Sequence, residues 1–471
     1  MSQIEVSQSR PPDSGVSLGL GKILRLAGVD RAIGFSLLAN VWSAAAAPVT
    51  LWLIAGYLSP AEQGYFYTFG SLLALKTFFE LGLTNVLVNF VSHEHAHLSS
   101  PDEAVRQRAR VRMGNLLAVS VKYYTIGASL FLATVIIAGR WFFEAPKGSV
   151  GDNVFWELPW LVVCTSTAGS LMIAPITAFL MGCGKVSEVL RIRFFETAFG
   201  NILSWIILIS GGGLFNACAN TVSTLLVVAV WLAIRYREFV MEFWRAGRIR
   251  REIDWWREVF PMQWRIATSW ILGYFIFQLF NPILFKTSGP VVAGQMGMSL
   301  NLLNAISGLA MAWVSTKIPL LGSLIARRQW AQLDETFRKA FIRSMLVKIA
   351  GLIVVIFGLI LLPRVGIEFK FFRRLLALPA FVILALAILV NHATSCLAVY
   401  LRSNRSEPML WPTIVGALLM VPTVYYFGLH YQAIGVCGAY LGNALLGLIW
   451  ASLILVQKRR EWQLGTLAQY E

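Results

Sequence analysis

Charged residues are scarce in this chain of 471 residues. They make up 14% of the sequence, and hydrophobic residues make up 57%. A soluble domain carries about a quarter charged residues. Seventeen tryptophans and thirty phenylalanines suit contact with lipid and with the membrane interface. The composition argues against a soluble enzyme and predicts an all-α protein that crosses a membrane many times.

Paired cysteines and a secretory signal are also lacking. The five cysteines are scattered without a C-x-x-C pair, and we interpret them as small buried residues, so we expect no metal or cofactor. The first fifteen residues are polar and suit a disordered tail. Residues 16–31 alternate leucine and isoleucine with basic residues, which predicts a helix lying on the membrane surface.

Twelve apolar segments are long enough to cross a bilayer, which takes about 20 residues as a helix. They span residues 33–57, 64–91, 114–138, 156–181, 190–210, 212–234, 263–285, 293–322, 344–362, 378–401, 410–428 and 432–456. With the N-terminus in the cytoplasm, thirty of the forty Lys and Arg residues fall in cytoplasmic segments and seven in external ones. This bias predicts a multi-pass protein of the bacterial cytoplasmic membrane with both termini inside. The net charge of +16 is thereby explained without nucleic-acid binding.

The predicted spans divide the chain into two halves. A cytoplasmic tail and surface helix (1–32) precede an N-terminal six-helix lobe (33–234). A basic amphipathic linker (235–262) leads to a C-terminal six-helix lobe (263–456) and a cytoplasmic tail (457–471). Ser59-Pro60-x-x-x-Gly64 matches Gly289-Pro290-x-x-x-Gly294, and each half has an even number of spans. We therefore expect two parallel repeats related by an axis along the membrane normal, a plan used by transporters.

Ionisable and amide side chains inside the spans mark a candidate cavity, because such groups are costly in lipid. Lys76 and Glu80 recur four residues apart on the second span, either facing a substrate or pairing with each other. Amides on the repeat-related spans are either ligand groups or links between helices. The candidate cavity residues are Lys76, Glu80, Asn40, Gln278, Asn281, Asn301, Asn304, Lys122, Arg265 and Lys317. Glu196 and His392 are candidate groups for ion coupling, and a packing role for His392 stays open.

The stretch YLSPAEQGYFY (57–67) followed by FFELGL (78–83) resembles the start of polysaccharide transporters in the multidrug/oligosaccharidyl-lipid/polysaccharide flippase superfamily. Pro60, Gly64 and Tyr65 match the Leu-x-Pro-x-x-x-Gly-aromatic pattern of that family, and Glu80 and Gly82 match its acidic-x-Gly end of span two. The resemblance implies a V-shaped fold of two lobes that flips a polyprenyl-pyrophosphate-linked oligosaccharide by alternating access. It implies the lipid bilayer and the lipid-linked saccharide as partners, with a polysaccharide polymerase and glycosyltransferases as further candidates. A cation-coupled multidrug exporter of the same superfamily is the alternative.

The sequence His93-Glu94-x-x-His97 offers a second alternative, because H-E-x-x-H on a helix binds zinc in metalloproteases. No third ligand is well placed, since Asp102 and Glu103 follow too closely in an expected turn. The motif is short enough to arise by chance. A polar, pH-sensitive helix end is the competing interpretation.

Overall fold

The computed structural model describes residues 31–144, 154–247, 253–365, 370–403 and 408–467, and the regular elements in these ranges are helical. The surface helix predicted over residues 16–31 lies almost wholly outside the described residues. The first half contains α1 Arg31–Tyr57, α2 Pro60–Leu73, α3 Thr77–Glu80, α4 Leu83–His97, α5 Glu103–Phe143, α6 Glu157–Gly182, α7 Val186–Ile209, α8 Ala219–Trp231 and α9 Arg237–Ala246. The second half contains α10 Phe260–Phe277, α11 Phe280–Ser288, α12 Pro290–Ser315, α13 Ile318–Ala326, α14 Trp330–Arg364, α15 Lys370–Arg373, α16 Leu378–Arg402 and α17 Leu410–Leu467.

Ten helices in the described ranges are long and apolar enough to cross a membrane, and an eleventh crossing is the bent pair Pro60–Glu80 and Leu83–His97. The twelfth is hidden in α17, whose backbone leaves the helical region at Gln432. Asn443 Nδ2 donates a hydrogen bond to the carbonyl oxygen of Gly416 at 3.3 Å, although 27 residues separate them. A straight helix would hold them about 40 Å apart. The helix therefore folds back at Gln432, and the twelve predicted crossings are present.

The helix bundle has two ends, the linker end and the loop end. The linker end carries α9, the end of α4 at His97 and the end of α16 at Arg402. The loop end carries the turns at Ser59 and Gly289, where α2 and α12 begin. Both chain halves start and finish at the linker end, as an even number of crossings requires.

The matched Pro-x-x-x-Gly segments meet at the loop end. Pro60 and Pro290 each start a helix, where a missing N–H is harmless. A methyl group added at Gly64 would lie 1.9 Å from the carbonyl oxygen of Pro290. The two segments that match in the sequence therefore pack directly against each other in the structure.

Aromatic packing closes the loop end further. Tyr65 of α2 meets Phe285 of α11 edge to face with ring centroids 4.9 Å apart, and Phe143 lies 5.4 Å from the same ring. Tyr65 and Phe143 are fully buried. The two halves are therefore sealed together at the loop end, and the larger cavities described below lie deeper, toward the linker end.

Candidate functional site

The second crossing is broken where its charged residues lie. A short 3-10 turn, Ala74–Lys76, follows α2, and α3 then ends at Leu81 and Gly82, both with positive φ. Gly82 suits this turn because its φ of +64° is strained for other residues. It also packs closely, since a Cβ there would lie 2.3 Å from Cγ2 of Ile266 on α10. The result is a 41° bend that sets Lys76 and Glu80 beside a break in the crossing, a common feature of transport sites.

Lys76 and Glu80 line a cavity of about 640 Å³ in the first half, which we call the polar chamber. Its walls come from the broken crossing, α6, α7 and α8, with Trp270 of α10 from the second half. The ionic and hydrogen-bonding side chains on these walls are Lys76, Glu80, Thr84, Asn85, Asn89, Thr167, Ser170, Thr177, Arg193, Glu196 and Thr224. The chamber thus holds two cations, two carboxylates and a majority of neutral hydroxyls and amides.

The open question about Lys76 is whether it pairs with Glu80 or faces a cavity. Glu80 accepts a hydrogen bond from Thr84 Oγ1 at 2.8 Å, and in the described structure no ion pair joins it to Lys76. The 3-10 turn explains this, because three residues per turn take Lys76 off the helical row that would place it beside Glu80. Lys76 is exposed to the chamber.

The predicted amides of the second half gather in a separate cavity of about 430 Å³, the amide cavity. Gln278, Asn281, Asn301 and Asn304 line it together with Asn391, which the sequence marks only by its depth in a span. Asn281 Nδ2 donates to Ser71 Oγ at 3.2 Å, while its buried Oδ1 has no partner among the described residues. The cavity lies between α2 of the first half and α11 and α12 of the second, and Asn281 links the two halves through Ser71.

A third cavity, of about 750 Å³, lies in the second half and is mostly apolar. We call it the apolar chamber; leucine, isoleucine and tryptophan side chains of α17 form one wall, among them Leu419, Ile449 and Trp450. Phe277, Asn391 and Tyr440 line both this chamber and the amide cavity, so the two are neighbours. Helix α10 contributes Trp270 to the polar chamber and Gly273 to the apolar one.

Four predicted residues lie elsewhere. Asn40, Lys122 and Lys317 are exposed and line none of the three cavities described above. Arg265 lines a separate, shallow cavity at the linker end with Glu258, and its guanidinium lies 5.9 Å from the ring of Trp264. Their polar side chains and their places inside or beside predicted spans make these residues candidates in the sequence, but the structure does not bring them to the polar chamber.

The two coupling candidates have different surroundings. Glu196 lines the polar chamber. His392 is 3% exposed, and its Nε2 lies 2.8 Å from Oγ of Ser344, the hydroxyl that donates its proton to the carbonyl oxygen of Ala310. His392 thus makes a buried link between α12, α14 and α16, outside the three cavities described above. Its role in coupling stays a prediction.

Lys348 is included in the count of cytoplasmic charges although it falls at the start of the predicted span 344–362, and in the structure it lies inside the second half. Its side chain is fully buried, and Nζ donates to the carbonyl oxygen of Leu303 at 2.7 Å and to Ser307 Oγ at 2.6 Å. Helix α14 begins at Trp330, so Lys348 lies well inside it, on the face that packs against α12. Charge alone does not show that a lysine near the end of a span turns inward.

The H-E-x-x-H residues lie at the linker end of α4, where His93 and His97 are exposed. Glu94 accepts from Arg112 Nε at 2.7 Å, and Arg112 Nη2 reaches Glu258 at 2.6 Å. No group of three potential metal ligands occurs in the part of the chain that the structure describes. Glu94 is therefore the ion-pair partner of Arg112, and Arg112 in turn ties the first half to Glu258 of the linker.

Comparison with known proteins shows the fold. No protein-family model and no curated protein sequence matches the chain. Among solved structures, the chain is similar to the MATE multidrug transporter DinF-BH, with a TM-score of 0.57 and 14% identity over 96% of this chain and 99% of that one. It is also similar to an inward-facing multidrug resistance MATE family transporter of the MOP superfamily, with a TM-score of 0.51 and 16% identity over 88% of this chain and 99% of that one. The predicted fold class, an all-α V-shaped arrangement of two six-helix repeats, is confirmed.

Proposed function

We propose that the protein is a membrane transporter that flips a polyprenyl-pyrophosphate-linked oligosaccharide, a precursor of surface polysaccharide or exopolysaccharide, across the cytoplasmic membrane by alternating access. The polar chamber is the observation that carries this proposal. Its hydroxyls and amides match the hydroxyl groups of sugars, and Lys76 and Arg193 supply charge for pyrophosphate. The indole of Trp270 offers an apolar face to a sugar ring.

The neighbouring apolar chamber supports an amphiphilic cargo. A polar chamber in one half and an apolar one in the other, with helix α10 contributing to both, provide surfaces for a headgroup and for the first part of a lipid chain. The remainder of a polyprenyl tail stays in the bilayer. With the predicted topology, the sealed loop end makes the present conformation the one that loads cargo from the cytoplasmic leaflet.

The experiment uses purified protein in vesicles that contain a polyprenyl-pyrophosphate-linked oligosaccharide. A membrane-impermeant glycosidase added outside measures the rate at which sugar appears on the outer face. Lys76→Ala should slow flipping about tenfold or more, because a hydrogen bond to a charged group contributes about 1.5–3 kcal/mol. Lys122→Ala is the matched control, since it removes an exposed lysine that lines none of the described cavities. If Lys76→Ala and Lys122→Ala flip the substrate at the same rate, Lys76 does not contribute to the transport route.

A cation-coupled multidrug exporter is the second candidate, and Glu80 and Glu196 in the same chamber favour it. Its carboxylates would bind a cationic compound or a coupling ion. In the same vesicles, export of a cationic dye that fails in Glu80→Gln and Glu196→Gln but survives in Lys76→Ala would support this function over the flippase.

A further inference from the structure

The loop-end segment 363–377 carries charge that the transport route does not use. It holds four basic residues, Arg364, Lys370, Arg373 and Arg374, against one acidic residue, Glu368. Basic residues are normally depleted on the external side of a membrane protein. Three of the four meet around a single pocket.

The pocket has a volume of about 230 Å³ and lies on the seam between the halves. Gln63 of α2 lines it from the first half, and Gln295 of α12 lines it from the second. Lys370 and Arg373, at the two ends of α15, and Arg374 complete the wall. We call it the basic pocket. No carboxylate lines it among the described residues.

Arg374 joins the two halves and has one donor to spare. Its Nη2 donates to the carbonyl oxygen of Leu58 at 2.6 Å, and its own carbonyl oxygen accepts from Gln63 Nε2 at 3.1 Å. Its Nη1 is buried and has no acceptor among the described residues. Burial lowers the pKa of the guanidinium, and the negative charge of Glu62 opposes this only in part. A buried donor without an acceptor is unfavourable, and a guanidinium readily binds a phosphate with two parallel hydrogen bonds.

We propose that the basic pocket binds a phosphate group, supplied by an anionic phospholipid headgroup or by free phosphate at the loop-end surface. The volume admits a phosphate or diphosphate but not an oligosaccharide. Because Gln63 and Gln295 come from different halves, the bound group contacts both and stabilises the conformation in which the loop end is closed. This site is independent of the proposed function, since it lies outside the three deeper cavities and holds for any cargo.

The test titrates the full-length protein, purified in neutral detergent, with short-chain phosphatidylglycerol and separately with inorganic pyrophosphate. Short-chain phosphatidylcholine is the neutral lipid control. The thermal unfolding midpoint, followed by tryptophan fluorescence, should rise with an anionic ligand and stay constant with phosphatidylcholine. A rise with phosphatidylglycerol alone identifies a lipid headgroup, and a rise with pyrophosphate identifies the phosphate itself as sufficient.

The double variant Lys370→Gln with Arg373→Gln tests the pocket, because both side chains are exposed and leave the contacts of Arg374 in place. Its apparent affinity for the anion should fall about tenfold or more. Arg364→Gln is the matched control; it removes an exposed charge from the same segment but outside the pocket, and it should bind as the native protein does. No shift with either anion, or equal shifts in the double variant and the native protein, would overturn the proposal.

Discussion

Gly64 and Gly294, equivalent residues of the two repeats, touch across the seam at the loop end. A methyl group added at Gly294 would lie 2.7 Å from the backbone nitrogen of Gly64, so the two helices approach as closely as their backbones permit. Small residues allow such contact between membrane helices, where dispersion forces replace hydrophobic burial.

Gly294→Ala should destabilise the protein by about 1–3 kcal/mol, because the new methyl group meets backbone and forces the helices apart. The measurement is the unfolding midpoint of purified protein in detergent. Gly308→Ala on the same helix meets nothing within 4 Å, so it should be neutral or stabilising through its helix propensity. A midpoint for Gly294→Ala as high as that for Gly308→Ala would contradict the close contact.

Arg112→Gln should lower stability by about 1–3 kcal/mol, because it leaves the partly buried Glu94 and Glu258 without their shared partner. The loss should shrink when Glu258→Gln is already present, since that variant has removed one of the two contacts. Thermal unfolding of the single and double variants measures this coupling. Arg110→Gln, an exposed neighbour, is the control and should change the midpoint little. Strict additivity of Arg112→Gln and Glu258→Gln would show that the bridge is not formed.

Two substitutions of Lys348 separate the effect of its charge on stability from the effect of its side-chain volume. Lys348→Met keeps much of the side-chain volume and should leave stability unchanged or raise it, because it removes a buried charge with no acidic partner in the described structure. Lys348→Ala should destabilise by about 2–4 kcal/mol through the cavity that it leaves. Chemical denaturation of both variants measures the difference. If Lys348→Met proves as damaging as Lys348→Ala, the charge itself is needed.

The zinc hypothesis makes a prediction that metal analysis can test. Because Glu94 is engaged by Arg112, we expect purified protein to contain far less than one zinc per chain. His93→Ala combined with His97→Ala should flip or export substrate at the native rate. If the native protein contains one zinc per chain and the double variant contains none, the metalloprotease hypothesis is supported again.

Much of the fold was predictable because membrane spans follow from local composition. The turn at Gln432 is an example. The sequence predicts two separate spans, 410–428 and 432–456, and the chain turns at Gln432 although helical geometry continues on both sides. The Pro60 and Pro290 segments also revealed the repeat, because a proline at a helix start and a glycine one turn later leave a visible pattern.

The site was only partly predictable, because depth in a span does not fix the direction of a side chain. Lys76, Glu80 and Glu196 share the polar chamber, and the four amides of the second half share another cavity, but Lys122 and Lys317, which also lie inside predicted spans, are exposed elsewhere. Asn85, Asn89 and Trp270 were missed; the signal for the two asparagines was their i, i+4 spacing on the same broken crossing. No pattern in the neighbouring sequence indicates that Trp270 lines the polar chamber, because it reaches the chamber from the opposite half.

The close packing of Ile266 on Gly82 has a mechanical consequence. A movement of helix α10 would press on or release the joint between α3 and α4, which follows Lys76 and Glu80 directly in the chain. Under the proposed alternating access, rocking of the second half would change the angle of the broken crossing in the first half. The contacts of Lys76 and Glu80 with the cargo would then change together with the opening of the transport route.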